Sequence, residues 1–211
     1  QTPVFIMGDK YLLEGHQSID KFSILNFQFS IDRGKLLTQD ELMNIKDYKR
    51  YLITDDGISP RAIPGMKNSL HQVNSYEHRE DGHTTEDALV RKEQVDKRNR
   101  KAATFLTRDA KLPKLYGSSD APLTIISWGS MKGPVLSAMQ DSPDKFNFLH
   151  FSYLWPLPRE ELTKMLKSLR NTLLIENNST GQLGQLLTMV TGIEIKNKLL
   201  KYNGRPIYPE E

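Results

Sequence analysis

Apolar residues are unevenly arranged along this chain. From Leu123 onward they fall into short runs and stripes of regular period; before it they are scattered among charges. Leu173-Leu174-Ile175 is a short apolar run, the mark of a strand buried on both faces. Glu176 to Gly181 supplies a polar turn, and Leu183, Leu186, Leu187 and Val190 follow at helical spacing, one stripe facing a sheet. The same unit is written twice upstream. Leu123–Trp128 predicts a strand, Gly129 to Gly133 a turn, and Pro134 the first turn of a helix with Val135, Leu136 and Met139. Asn147–Phe151 predicts another strand, and after Pro156 and Pro158 a helix is spaced by Leu162, Met165, Leu166 and Leu169. Strand, turn and helix in repetition imply an α/β fold, a three-layer parallel-sheet domain. Lys196 to Tyr208 closes the chain, with Gly204 and Pro206 expected to mark a turn into the tail.

The earlier part carries fewer periodic signals. Val4–Met7 predicts a buried-type strand with no lead-in. The partners of a parallel strand are expected before it, so the chain reads as starting partway through a larger domain. Tyr11 to Gln17 predicts a short helix and Ser18 to Phe29 an extended arm. Arg33 to Ile53 reads as a solvated connection with one helical turn, anchored by Leu36, Leu37, Leu42, Met43 and Ile45. Asp55 to Gly65 is loop by composition, since Pro60 and Pro64 disfavour helix before themselves. Thr84-x-x-Asp87 matches a capping box opening a charged helix through Lys101. Lys111 to Pro122 reads as a linker, and the domain boundary is placed there.

Composition narrows the functional classes. At 211 residues, 37% hydrophobic and 26% charged, the chain has the composition of an ordinary globular protein of one large or two small domains. A net charge of +3, with no basic run interleaved with aromatics, lacks the electrostatic footprint of a nucleic-acid binder. No apolar run approaches transmembrane length and the first residues do not form a signal peptide, so a cytoplasmic protein with no membrane partner is expected. Zero cysteines exclude a disulfide, a thiolate nucleophile, a Cys-ligated zinc and an iron–sulfur cluster on this chain.

Two stretches carry candidate chemistry. Asn177, Asn178, Ser179, Thr180, Gly181 and Gln182 form a strand-to-helix turn beside Glu176. Its helix N–H groups suit an anion, or Asn177, Asn178 and Ser179 simply cap the helix and face a neighbouring subunit, with Ser179 or Thr180 able to accept from its first N–H groups. No lysine lies within the turn and no P-loop spacing is present. The second stretch is the polar run Glu77 to Asp87, with His78, Glu80, Asp81, His83 and Thr84. Its two histidines are five apart with no helix to align them, so no metal site is assigned. Arg61, between Pro60 and Pro64, sits on a stiff loop that suits an anion contact.

Four stretches in order also resemble one family. They are Gly57-Ile58-Ser59-Pro60-Arg61-Ala62-Ile63-Pro64-Gly65; Glu77-His78 with Gly82-His83-Thr84-Thr85-Glu86-Asp87; Ser127-Trp128-Gly129-Ser130; and Glu176-Asn177-Asn178-Ser179-Thr180-Gly181-Gln182-Leu183. With the tail Lys201-Tyr202-Asn203-Gly204-Arg205-Pro206, they resemble the alpha subunit of 2-oxoacid:ferredoxin oxidoreductases. The resemblance implies three regions. Residues 1–60 are the closing part of a thiamine-diphosphate-enzyme pyrimidine-binding domain, 61–120 a loop and charged-helix linker, and 121–211 a domain resembling the transketolase C-terminal domain.

The activity implied is oxidative decarboxylation of a 2-oxoacid, of the 2-oxoglutarate or pyruvate class, to acyl-CoA with electrons passed to ferredoxin. Thiamine diphosphate, magnesium and an iron–sulfur cluster belong to the assembled enzyme, none held by this chain alone. The implied partners are a beta subunit carrying thiamine diphosphate and the cluster, the remaining alpha or gamma segments, and ferredoxin, with 2-oxoacid and coenzyme A as ligands of the complex. The family's Tyr-Pro-Ile-Thr-Pro substrate loop is absent, and Gly8-Asp9-Lys10 lacks the second glycine of the diphosphate motif. No catalytic residue is therefore carried over. The chain alone is expected to be inactive and to serve assembly, with Arg61, His78, Glu80, His83 and Thr84 lining a subunit interface or the approach to the active site. The alternative is a stand-alone α/β module that holds a phosphate or nucleotide at the 178–182 turn.

Overall fold

The computed structural model describes residues 5–8, 10–22 and 32–211. They belong to two compact units, one containing Ile19–Asp109 and the other Phe5–Ser18 with Ala110–Glu211.

Three of the four strand predictions hold. A short helix α1 (Lys10–Leu13) replaces the longer one expected from Tyr11. The strand expected at Val4–Met7 reaches outside the described residues, and Phe5, Ile6 and Met7 are irregular and exposed. The arm expected over Ser18–Phe29 lies largely outside them too.

In the second unit the sheet comprises β1 (Lys114–Tyr116), β2 (Thr124–Trp128), β3 (Asn147–Phe151), β4 (Thr172–Glu176) and β5 (Asn197–Leu200), in the order β1-β3-β2-β4-β5. β2, β3, β4 and β5 run parallel, while β1 pairs antiparallel with β3 at the edge. Two strands were not anticipated. β1 uses three residues of the stretch expected as linker, and β5 lies before the turn at Gly204 and Pro206, where no element was expected. Both are short edge strands without an apolar run, which is why their periodicity is weak.

The helices cover both faces. A 3-10 turn at Gly129–Met131 leads into α4 (Lys132–Asp141); α5 (Arg159–Ser168) follows β3 and α6 (Gln182–Thr191) follows β4. (Two earlier helices, α2 (Gln39–Asn44) and α3 (Ala88–Arg108), belong to the other unit.) Alternate residues along each strand point to opposite faces. Ile126, Leu149 and Leu174 therefore meet Leu162, Leu166, Leu183 and Leu187 on one side, and Ile125, Phe148 and Ile175 meet Met131, Val135 and Ile207 on the other. Gly184 faces Leu174 so closely that a Cβ there would lie 2.6 Å from Leu174 Cδ2, letting α6 settle onto the sheet.

The first unit is held differently. Its helices are α2 (Gln39–Asn44) and α3 (Ala88–Arg108). Residues 33–53, expected as a solvated connection with one helical turn, contribute α2, whose Thr38–Glu41 capping box is complete. They also contribute Leu42 and Tyr48 to a small core with Ala62. The helix expected from a Thr84 capping box begins later: Asp87 is the N-cap, accepting from Leu89 N and Val90 N. α3 offers its neighbours polar groups. Lys97 Nζ donates to Tyr51 O (2.8 Å), Arg100 Nε to Thr54 O (3.2 Å) and Thr104 Oγ1 to Asp56 O (2.8 Å). Gly57, at φ +73°, lies against that helix, where a Cβ would come within 2.4 Å of Lys97 O and Lys101 N.

Candidate functional site

In the first unit, the polar run closes a small antiparallel turn in which Arg79 N donates to His83 O, Thr85 N to Glu77 O, and His78 pairs with Thr84. Gly82, at φ +97°, makes this turn possible, since a Cβ would fall 1.9 Å from Gln72 O. Glu77 receives both terminal nitrogens of Arg98 (3.2 and 2.6 Å), and this forked contact holds its carboxyl below the ordinary range. Glu80 accepts from Ile53 N (2.7 Å) and Lys49 Nζ (2.9 Å). Burial pushes the Glu80 carboxyl upward, but the Ile53 N–H and Lys49 outweigh it and the net shift is downward. The His78 ring lies 3.9 Å from the Tyr51 ring, and its Nδ1 is 3.0 Å from Arg79 O. His83 is exposed and pairs with Asp81 at 3.2 Å.

Thus His78, Glu80, His83 and Thr84 share one turn. Arg61 is engaged with residues 33–37: its guanidinium donates to Arg33 O (3.0 Å), its N–H to Lys35 O, and its carbonyl accepts from Leu37 N. Among the described residues, no three acidic or histidine side chains converge as metal ligands. Sequence reasoning missed Lys97, only 5% exposed, whose ammonium is brought down to about 8 by burial and by the neighbouring cations Lys101 and Arg50. Nothing in the local pattern marks it, because its neighbours along α3 are equally charged.

In the second unit, Glu176 ends β4 and is 1% exposed. Its carboxylate accepts from Leu183 N (2.9 Å), Gly184 N (3.3 Å), Asn178 Nδ2 (2.7 Å) and Trp128 Nε1 (3.2 Å). Asn178 Oδ1 in turn accepts from Gly181 N (2.7 Å), Thr180 N (3.1 Å) and Gln182 N (3.3 Å). Gly181 holds the N-cap position at φ +65°, so neither Ser179 nor Thr180 caps α6. The N–H groups that such a turn offers an anion are bonded inside the chain, and a side-chain carboxylate stands at the positive end of the helix. Both Asn178 amide atoms are engaged as well. With no cysteine, the residues present offer no thiolate ligand to an iron–sulfur cluster.

A cavity of about 660 Å³ lies beside this network. Ser130 and Met131 after β2, Asn177 after β4, and Lys201, Tyr202 and Arg205 after β5 line it. From β2 the chain moves to β3 on one side, then crosses to β4 on the other, so the ends of β2 and β4 flank the point where strand order reverses. Open parallel sheets form their binding crevices at that place. Asn177 is thus the one residue of the expected turn site that faces the cavity. The residues from β5 onward escaped sequence reasoning because their turn residues resemble those of any tail.

No family model matches the chain. Along its full length it is 35% identical to subunit alpha of 2-oxoacid:ferredoxin oxidoreductase 2 from Aeropyrum pernix, over 216 residues that make up 33% of that protein. It is 33% identical to the 2-oxoacid:ferredoxin oxidoreductase subunit alpha of Saccharolobus solfataricus, again over the whole chain and 33% of the relative. The chain therefore spans about a third of the length of the curated relatives it matches. Among solved structures it is similar to the 2-oxoglutarate:ferredoxin oxidoreductase of Magnetococcus marinus with 2-oxoglutarate, coenzyme A and succinyl-CoA bound. That match has a TM-score of 0.68 and 28% identity, over 78% of this chain and 29% of the other.

Proposed function

We propose, for a chain that belongs with the alpha subunits of 2-oxoacid:ferredoxin oxidoreductases, that it is the assembly and scaffold portion of such an enzyme. The complex oxidatively decarboxylates a 2-oxoacid of the 2-oxoglutarate or pyruvate class, transfers the acyl group to coenzyme A, releases carbon dioxide and passes two electrons to ferredoxin. The observation that carries this reading is similarity to these subunits over the entire chain. The donor set agrees with that division of labour for one cofactor: without cysteine, this chain offers no thiolate to an iron–sulfur cluster, which falls to a beta subunit. Residues 1–60 belong to the end of a pyrimidine-binding domain, 61–120 to a connecting region, and 121–211 to the domain resembling that of transketolase.

Partners are the beta subunit, the remaining alpha or gamma segments, and ferredoxin. The loop bearing His78, Glu80, His83 and Thr84, together with Arg61, faces a neighbouring subunit or the approach to the reaction centre. Phe5, Ile6, Met7, Leu12 and Leu13 are largely exposed within nine residues, an apolar grouping that suits contact with a partner. No helix among the described residues is long and apolar enough to cross a membrane, and the enzyme is assigned to the cytoplasm. Co-expression with the remaining alpha segments and a cysteine-bearing beta chain tests the assignment. A stable complex on size exclusion is expected; a chain that elutes alone under those conditions overturns it.

A further inference from the structure

The cavity beside β2, β4 and β5 has a chemistry of its own, and it stands independently of the subunit assignment. Its size falls in the range of small-molecule sites, roughly 300–1,000 Å³. Met131 and Ile207, both within the core cluster on that face, give it an apolar floor together with Pro134. At the rim Tyr202 is 70% exposed, leaving a flat aromatic face available. The cations on the lining are not equivalent. Lys10 pairs with Glu14 (3.9 Å), and Lys201 Nζ donates to both Glu211 oxygens (2.6 and 2.5 Å). Among the described residues the Arg205 guanidinium meets no carboxylate within ion-pair distance, so the uncompensated positive charge on this lining is that of Arg205.

The loop that carries Tyr202 and Arg205 is tied to the end of β4. Lys201 N donates to Glu176 O (3.0 Å), Asn177 Nδ2 reaches Lys201 O (3.5 Å) and Arg205 O (3.4 Å), and Arg205 N donates to Asn203 Oδ1 (3.1 Å). An aromatic face, an apolar floor and a forked cation on one braced loop suit a flat ring joined to a phosphate. The helix N-terminus next door contributes nothing to that phosphate, because Glu176 and Asn178 already occupy its N–H groups.

We propose that this crevice binds a nucleotide, its ring against Tyr202 and the apolar floor and its phosphate on Arg205. The same chemistry is presented by a free nucleotide and by the nucleotide end of coenzyme A, so the test carries both. Isothermal titration of the full chain with ADP, coenzyme A, adenosine and inorganic pyrophosphate is the measurement, with thermal melting of every variant to establish folding. Saturable binding of ADP or coenzyme A is expected, with adenosine and pyrophosphate each at least tenfold weaker. Arg205→Glu is expected to weaken binding at least tenfold and Tyr202→Ala severalfold, while Arg159→Glu, the same charge change on α5 outside the cavity lining, leaves it unchanged. Tighter binding of either nucleotide supports the proposal and identifies the source. Absence of saturable binding by both overturns it, as does a folded Arg205→Glu that binds equally well, or pyrophosphate bound as tightly as ADP. Since no partner subunit is present in the titration, its failure leaves the assembly reading to its own co-expression test.

Discussion

In the unit built on β1–β5, Ile126, Leu149 and Leu174 are fully buried among side chains of α5 and α6. In the unit of residues 32–109 the apolar interior is Leu42, Tyr48 and Ala62, and closure comes from side chains bonded to main chain. Lys97, Arg100 and Thr104 hold the 51–56 loop against α3, and Glu80 holds Ile53. An apolar layer tolerates local change by repacking, since dispersion and burial are spread over many contacts. A polar closure depends on individual bonds whose loss leaves a buried group unpaired. The two units are therefore expected to fail in different ways.

The largest effect is expected where the sheet unit departs from its own rule. Glu176→Leu removes the acceptor of two backbone N–H groups, Trp128 Nε1 and Asn178 Nδ2, and is expected to cost about 4 kcal/mol, read from exchange of the β2–β4 amides. If Glu176→Leu is as stable as wild type, the turn is held by packing alone. Next comes the apolar contrast. Leu174→Ala is expected to cost about 3 kcal/mol and Leu42→Ala about 2 kcal/mol, because the smaller cluster collapses more readily around the void. Equal losses in hydrogen exchange of the two units erase that distinction.

Gly57→Ala probes the close approach in the first unit. With φ at +73° and a Cβ 2.4 Å from helix backbone, it is expected to cost about 2 kcal/mol in that unit while the sheet amides keep their protection. The last effects are those of pH. Asp56, held at about 2 chiefly by Lys35, gives stability that is present above its unfolded value near 3.8 and is lost as pH falls from there to about 2. Asp56→Asn is expected to flatten that acid limb. Lys97 works in the opposite range. Between about 8 and 10.5 the unfolded chain holds a proton that the folded one has released, so the first unit gains stability as pH rises through that window, and Lys97→Met abolishes the gain.

This contrast also explains what the sequence disclosed. β3 was legible at its own residues, and β2, β4 and α6 within one or two, because Leu123–Trp128, Asn147–Phe151 and Leu173–Ile175 are apolar runs followed by turns. β1 and β5 were not, since Lys114-Leu115-Tyr116 and Asn197-Lys198-Leu199-Leu200 are short edge segments defined by their partners. In the first unit Leu42 looked like an anchor in a solvated stretch, and only a bond such as that from Ala62 N to the Tyr48 hydroxyl reveals a core around it. The turn after β4 was recognisable as a turn, but not which atoms fill it. Asn178 was among the expected caps and does accept from the turn, but Glu176 rather than Ser179 or Thr180 takes the next N–H groups of the helix. Such long-range substitution has no local signature. The cavity was legible only at Asn177, since its other walls are assembled by the order of strands.

The most direct measurement is reduction of a viologen dye dependent on both a 2-oxoacid and coenzyme A. It would be made on this chain alone and on the chain co-assembled with the remaining alpha segments and a cysteine-bearing beta subunit. No turnover by the isolated chain and clear turnover by the assembly is the predicted result. Turnover by the isolated chain, or a stable assembly that reduces no dye with either 2-oxoglutarate or pyruvate, would contradict the account.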